Sequence, residues 1–241
     1  MTTDSKCMDA SLLRSEIEKK LPAAFTAYTR AFRGTIATGI AAIDAVVEGV
    51  PLHALTEICG SGEASSGKTS VLAALLAQAT RERFCALVDA SDSFDPESGH
   101  AAGIHFSRLL WVRCGKSPAR LRPLEQAFKV TDILLQSGGF GVIAVDLSGI
   151  GERIVRKVPL STWFRFSRVI ERQPAALVFL EQEPHATSCA GLVLRVEVEP
   201  AVFSGKLLTG FDLKVEVVRA GAARKPVRSV RSEVTLKTQW A

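Results

Sequence analysis

Residues 55–70 read LTEICGSGEASSGKTS, and within them Gly62-Glu63-Ala64-Ser65-Ser66-Gly67-Lys68-Thr69 fits the pattern G-x-x-x-x-G-K-[ST] in full. Glycines at these positions let the backbone wrap so that successive N–H groups point inward at phosphate oxygens. A helix opening at Lys68 adds a partial positive charge at the same spot. In this reading the Lys68 ammonium reaches the terminal phosphates, the Thr69 hydroxyl ligates Mg²⁺, and Ser70 completes the phosphate-binding stretch. At ordinary residue usage such a match arises by chance in only about 1% of chains this long. The flanks agree with it, because LTEI (55–58) has the composition of a strand and 68–80 that of a helix.

Working outward, apolar runs alternate with helical patterns. FCALVD (84–89), LLWVRC (109–114), GVIAVD (141–146) and AALVFLEQ (175–182) read as strands. GVIAVD is near-continuously apolar, as a strand buried on both faces of a parallel sheet must be. It ends on Asp146, which supplies the second carboxylate that such a phosphate site needs to hold the metal's water shell. Helices are expected at 40–47, at 118–136 and at 161–172. In the second, Ser117 is the expected cap and Pro118 lies in the first turn, with Leu121, Leu124, Phe128 and Leu135 on the apolar face. Beyond residue 182 the helices stop, and GLVLRVEVE, FDLKVEVVR and EVTLKTQ alternate by twos, as half-exposed antiparallel strands do. The expected fold class is α/β: a mainly parallel central sheet flanked by helices, with antiparallel C-terminal strands. At the other end Leu13, Ile17 and Leu21 form one apolar stripe on a helix at 11–21, and Pro22 and Gly34 mark a linker at 22–35. The expected organisation is a helical arm at 1–34 and a nucleotide-binding domain at 35–241.

Composition narrows the class. A chain of 241 residues with 47% hydrophobic content buries roughly 70–75% of its unfolded surface and needs no disulfide or metal staple. Its five cysteines are scattered with no CxxC pair, which reads as reduced, buried thiols rather than a zinc site. Nothing resembles a signal peptide or a membrane span, so a cytoplasmic location is expected. The net charge of +5 is local: residues 219–231, RAGAARKPVRSVR, hold Arg219, Arg224, Lys225, Arg228 and Arg231 and no acid. A second cationic stripe, Arg165, Arg168 and Arg172, lies opposite Trp163, Phe166 and Ile170 on the 161–172 helix. Both are candidate contacts for DNA or an acidic partner. His185 reads as a solvent-facing turn residue.

The run IATGIAAIDAVVEGVPLHALTEI (36–58) and the phosphate loop after it resemble the opening of the RecA recombinase core. VDASDSFDPE (88–97), VIAVD (142–146) and VFLEQ (178–182) follow in that family's order, and the likeness covers about residues 35–220. KVPLSTWFRF (157–166) and SCAGLVLRV (188–196) resemble a shorter branch, the ImuA-like proteins of error-prone lesion bypass. The resemblance implies a RecA-like P-loop fold that binds ATP and Mg²⁺, with Asp95 among the nucleotide-binding residues. It also implies that Gln182 senses the terminal phosphate. Ser91 stands where the recombinases carry the glutamate that positions the attacking water, which leaves Asp92 beside it as the substitute base. Ser98 stands where they stack an aromatic ring on adenine. Both DNA-binding loops are short here, and Arg219 retains one of two basic residues that reach a neighbouring subunit's nucleotide.

The reading that follows is an accessory protein of damage-induced mutagenesis. Its implied partners are an ImuB-like homologue of the Y-family polymerases and an error-prone replicative-type polymerase. RecA itself and weakly held single-stranded DNA are further implied partners, and oligomers are allowed. The main alternative is a DNA-dependent ATPase or recombinase that uses Asp92 as its base. A cell-division inhibitor and a small-molecule kinase are more distant alternatives.

Overall fold

The protein is described from a computed structural model. It covers residues 34–60, 66–115, 122–198, 202–204, 207–220 and 232–236, with backbone alone at 202–204, 207–212 and 232–236. The expected 11–21 helix, Cys7, Gly62, Glu63, Ala64, Ser65, the Ser117–Pro118 cap, Leu121, Arg224, Lys225, Arg228 and Arg231 lie outside the described residues. The described residues belong to one unit, Phe32–Ala241.

The elements run β1 (Thr35–Ile36), α1 (Ala41–Val47), β2 (Val50–Pro51), β3 (Ala54–Cys59), α2 (Lys68–Ala79), β4 (Cys85–Asp89) and α3 (Pro96–Ala101). They continue with β5 (Leu109–Arg113), α4 (Pro123–Ser137), β6 (Val142–Asp146), α5 (Glu152–Val155), α6 (Leu160–Ile170) and β7 (Ala176–Glu181). The last are β8 (Ala190–Val198), β9 (Val202–Ser204), β10 (Leu207–Ala220) and β11 (Ser232–Leu236). The main sheet has the order β11-β10-β8-β3-β7-β6-β4-β5, with β9 paired to β10. Strands β8, β3, β7, β6, β4 and β5 are mutually parallel, and β10 and β11 are antiparallel to their neighbours. The α/β class with antiparallel C-terminal strands is therefore what the chain adopts.

Strands β3, β4, β6 and β7 are buried at every position, which is why their sequences read as apolar runs rather than alternations. Successive side chains point to opposite faces, so each strand feeds two cores. Ile58, Leu87, Ala144 and Val178 pack with Ile43 of α1 and Val71, Leu72, Leu75 and Leu76 of α2. Leu55, Val88, Ile143 and Phe179 pack on the other face with Leu124, Ala127 and Leu134 of α4 and Trp163, Phe166 and Ile170 of α6. Among the described residues no helix is long and apolar enough to cross a membrane.

Two expectations are corrected. The helix expected from 118 begins at Pro123, with Arg122 extended (φ −67°, ψ 149°) as its N-cap. Proline lacks the N–H and its ring blocks the carbonyl four residues earlier, so Pro123 fits the first turn and would break a helix already under way. It also pushes the preceding residue out of helical conformation. The second correction concerns GLVLRVEVE. This strand, β8, is antiparallel to β10 but parallel to β3, and its first five residues are all buried. Lying between two strands and under two layers, it is not a half-exposed edge.

Parallel β7 and β8 flank β3 with only residues 182–189 to connect them, too few for the helical crossover usual between parallel strands. The connection instead passes over β3. Its backbone N–H groups at His185 and Ala186 donate to Glu57 Oε1 of β3 at 2.6 and 2.7 Å, and Ser167 Oγ of α6 donates to the Cys189 carbonyl at 3.2 Å. A buried loop must find partners for its backbone groups, and a carboxylate inside the sheet provides one.

Candidate functional site

The chain leaves β3 at Cys59 and re-enters regular structure at Gly67, the N-cap of α2. Gly67 has φ 79°, and a Cβ built there would lie 2.1 Å from Leu213 Cδ2. Glycine thus suits the left-handed turn, and any larger residue would also have to displace the Leu213 side chain. A Cβ at Gly60 would meet Ser66 Oγ at 2.1 Å. Lys68 is 8% exposed, and its Nζ donates to the Gly60 carbonyl at 3.3 Å, folding back over the start of the loop. Burial lowers its pKa, against the opposing charge of Asp146. Thr69 is exposed and Ser70 half-buried on the same first turn. Ser66 Oγ is buried with no hydrogen-bond partner among the described residues.

Asp146 ends β6 and pairs in register with Asp89 at the end of β4. Burial raises its pKa and Asp89 adds to the effect, while hydrogen bonds from Ser148 and the charge of Lys68 oppose it. The Ser148 N–H donates to Asp146 Oδ1 at 2.9 Å. Gln182 Nε2 donates to the Ser148 carbonyl at 3.2 Å, so Gln182 is tied to the loop that carries Asp146. Asp89 was not singled out from sequence. It is fully buried, and its carboxylate accepts from the N–H groups of Ser93 and Phe94 at 3.0 and 2.9 Å, which holds the 91–98 segment beside Asp146.

In that segment Ser91 Oγ lies 3.2 Å from Ser93 Oγ. Asp92 has φ 57°, and its carboxylate is gripped by both Nε and Nη2 of Arg113, the latter at 2.9 Å. Asp95 is the N-cap of α3, accepting from the N–H groups of Glu97 and Ser98. The Ser98 hydroxyl also donates to it and holds its carboxyl below the usual range.

The structure therefore collects Lys68, Thr69, Asp89, Asp146 and Gln182 at the C-terminal ends of β3, β4, β6 and β7, where parallel α/β sheets bind ligands. The model of the RecA N-terminal domain family matches residues 26–150, just over half of the chain. The chain belongs to that family. Protein RecA of Colwellia psychrerythraea (strain 34H / ATCC BAA-681) is similar to it, 33% identical over 115 residues, which are 46% of this chain and 31% of that protein. The match thus spans about a third of the relative's length.

One feature of this RecA-family chain escaped the sequence reading. His185 is not a solvent-facing turn residue: its side chain is only 10% exposed, with Nδ1 2.5 Å from Glu181 Oε2. Glu57 and Glu181 are both buried, and Glu57 Oε2 and Glu181 Oε1 have no hydrogen-bond partner among the described residues. Burial raises the pKa of Glu57, against the His185 and Ala186 backbone bonds and the charges of His185 and Arg219. Burial also raises Glu181, to about 7. The hydrogen bond that the Glu181 carboxylate accepts raises His185, and the charges of Glu181, Glu57 and Glu152 reinforce it against burial. These residues are not arranged as a metal-holding group.

The shifts set the sign of a pH dependence. A carboxyl or imidazole whose folded pKa lies above its unfolded value makes the native state bind more protons, so stability falls as pH rises. For Glu181 the fall lies between its ordinary value of 4.5 and about 7. Glu181→Gln is expected to melt within about a degree of the wild type at pH 5 and several degrees above it at pH 8. Melting curves across that range check it, and a difference independent of pH would contradict the assignment.

The basic residues divide. Arg165 and Arg168 are exposed on the outer face of α6, with Arg165 paired to Asp132 of α4 at 2.9 Å; Arg172, expected on the same helix, is exposed beyond its end at Ile170, where Pro174 soon follows. Arg219 Nη1 donates to the Thr187 carbonyl at 2.9 Å, against the connection that crosses β3.

Proposed function

We propose that this chain is a RecA-like ATP-binding accessory protein of DNA damage tolerance, of the ImuA-like kind, which docks a polymerase-type partner and turns ATP over slowly. One contrast carries the reading. Lys68, Thr69 and Asp146 carry groups suited to phosphate and metal, while the residue at the water-activating position, Ser91, is a serine. The nearest substitute, Asp92, is engaged by Arg113. A carboxylate held by a guanidinium is a weak proton acceptor, and loss of water activation costs typically 10²–10⁴-fold.

The residues present fit the nucleotide. The unpartnered buried Ser66 hydroxyl, the Lys68 ammonium and the N-terminus of α2 form a donor set for phosphate oxygens. In this reading residues 62–70 would hold the phosphates, with Lys68 toward the terminal ones, and Thr69 and Asp146 would hold Mg²⁺. Gln182 reports the ligand to the 146–148 loop, and Asp95 fixes α3 beside it. The bound metal would supply charge neutralisation at the phosphates. Residues 1–34 serve as the docking arm and 35–241 as the nucleotide domain. Arg219, Arg224, Lys225, Arg228 and Arg231 are proposed contacts for DNA or a partner.

Affinity isolation from DNA-damaged cells of the source organism, with wild type and Lys68→Ala compared, tests the adaptor role. Recovery of a polymerase-type protein by the wild type, reduced by the substitution, is expected. Recovery of cell-division proteins instead would overturn it. The 33% identity to Protein RecA keeps a second reading, a DNA-dependent ATPase, and DNA-stimulated turnover would favour it.

A further inference from the structure

On the sheet face opposite α2, helices α4 and α6 leave a groove of about 640 Å³ lined by Leu135, Phe164, Arg165, Arg168, Val169 and Arg172. Its composition is mixed in an ordered way. Leu135 and Val169 are aliphatic, and Phe164 stands beside them 42% exposed, with Leu160 one turn earlier 45% exposed. Large apolar groups left in water at one place mark interaction surfaces rather than core. Phe164 points away from the aromatic core that its helix neighbours Trp163 and Phe166 build, so its exposure is not forced by packing.

Arg165 and Arg168 are three residues apart on the outer face of α6, and Arg172 follows just past its end, beyond the Glu171 C-cap. Arg165 is paired with Asp132, and its guanidinium carbon lies 5.2 Å from the centroid of the Phe166 ring. Arg168 and Arg172 have no ion pair among the described residues. The Gln173 amide, also at the groove, is already used by the Leu135 carbonyl.

We propose that this groove docks an acidic amphipathic segment of a partner protein, with carboxylates against Arg168 and Arg172 and one apolar side chain against Phe164 and Val169. Charge complementarity names the occupant's sign, and the aliphatic floor names its anchor. A nucleic acid suits the groove less, because Arg165 is already paired with Asp132, which leaves two arginines there for phosphate contacts. The proposal rests on the adaptor reading for the existence of a partner, but not on nucleotide binding, since α2 packs on the other face of the sheet.

The test pans random displayed peptides about 16 residues long, roughly 24 Å as helix, on the full-length protein. Binding of the enriched peptides is then measured by fluorescence anisotropy to wild type, to Arg168→Glu/Arg172→Glu and to Phe164→Ala. Enriched peptides are expected to be acidic with a leucine or aromatic anchor, and to lose at least about tenfold in affinity with either variant. Unchanged binding of a fluorescent ATP analogue shows that the variants are folded. Peptides without acidic enrichment, or with equal affinity for all three proteins, overturn the groove. So does a short oligothymidylate that binds the wild type and is released by the charge reversal. Either result leaves the functional reading standing if the double variant still recovers the polymerase-type partner.

Discussion

Replacing Lys68 with alanine is expected to weaken MgATP binding by about 10- to 150-fold, the roughly 1.5–3 kcal/mol that a charge-assisted hydrogen bond carries. The same change should leave the melting temperature of the nucleotide-free protein nearly unaltered. In the free protein the ammonium is buried against a neutral carbonyl, Gly60, and burial disfavours its charge. Removing it relieves that cost while losing one hydrogen bond. Asp146, whose pKa burial already raises, can take up a proton instead of standing as an unpaired charge. Calorimetric titration gives the affinity, and a thermal shift gives a second readout. ATP at a hundred times its dissociation constant adds about 2.7 kcal/mol, or about 5–11 °C for a domain of this size. The wild type should show that rise and the variant should lose most of it. A variant that melts several degrees lower yet binds ATP normally would make Lys68 a structural residue.

The largest stability effect is expected at Trp163. Its ring is 1% exposed, with its centroid 5.0 Å from that of Phe179 at an interplanar angle of 78°. Phe128 lies edge-on to Trp163, Phe166 and Phe179 at 5.8, 5.4 and 6.4 Å. Edge-to-face packing of this kind adds to the area term, and a tryptophan truncated in a closed core leaves a cavity that neighbours fill only in part. Trp163→Ala should cost about 3–5 kcal/mol, lowering the melting temperature by about 6–20 °C. Phe164→Ala, the next residue on the same helix, is the control: it should change stability by less than about 1 kcal/mol, because its ring faces the groove. Urea unfolding separates the two. Equal losses at both positions would contradict the assignment of the faces of α6.

These residues show how far the sequence could be read. The helix start at Lys68 and the strand end at Asp146 were legible because their signals are local: a glycine before a helical run, then a carboxylate closing an apolar strand. The inward face of α6 was legible because periodicity alone separates Trp163, Phe166 and Ile170 from the arginines. The start of α4 was misplaced because Ser117-Pro118 and Pro123 both carry a helix-start signal, and only the later one is compatible with an unbroken helix. The direction of β8 was hidden because alternation by twos reports which side chains are covered and not which neighbour pairs with the strand. Glu57 and His185 were missed for a related reason. An acid inside LTEI gains its purpose only when the connection from β7 to β8 crosses it with buried N–H groups, 128 and 129 residues further on.

The central claim, a RecA-family chain that holds ATP without fast hydrolysis, is tested most directly by measuring ATP turnover of the wild-type protein with and without single-stranded DNA. The account predicts tight binding, slow turnover that DNA does not stimulate, and no further loss on Asp92→Asn. Turnover that rises severalfold with DNA and collapses on Asp92→Asn would contradict it, by making Asp92 a working base despite its pairing with Arg113.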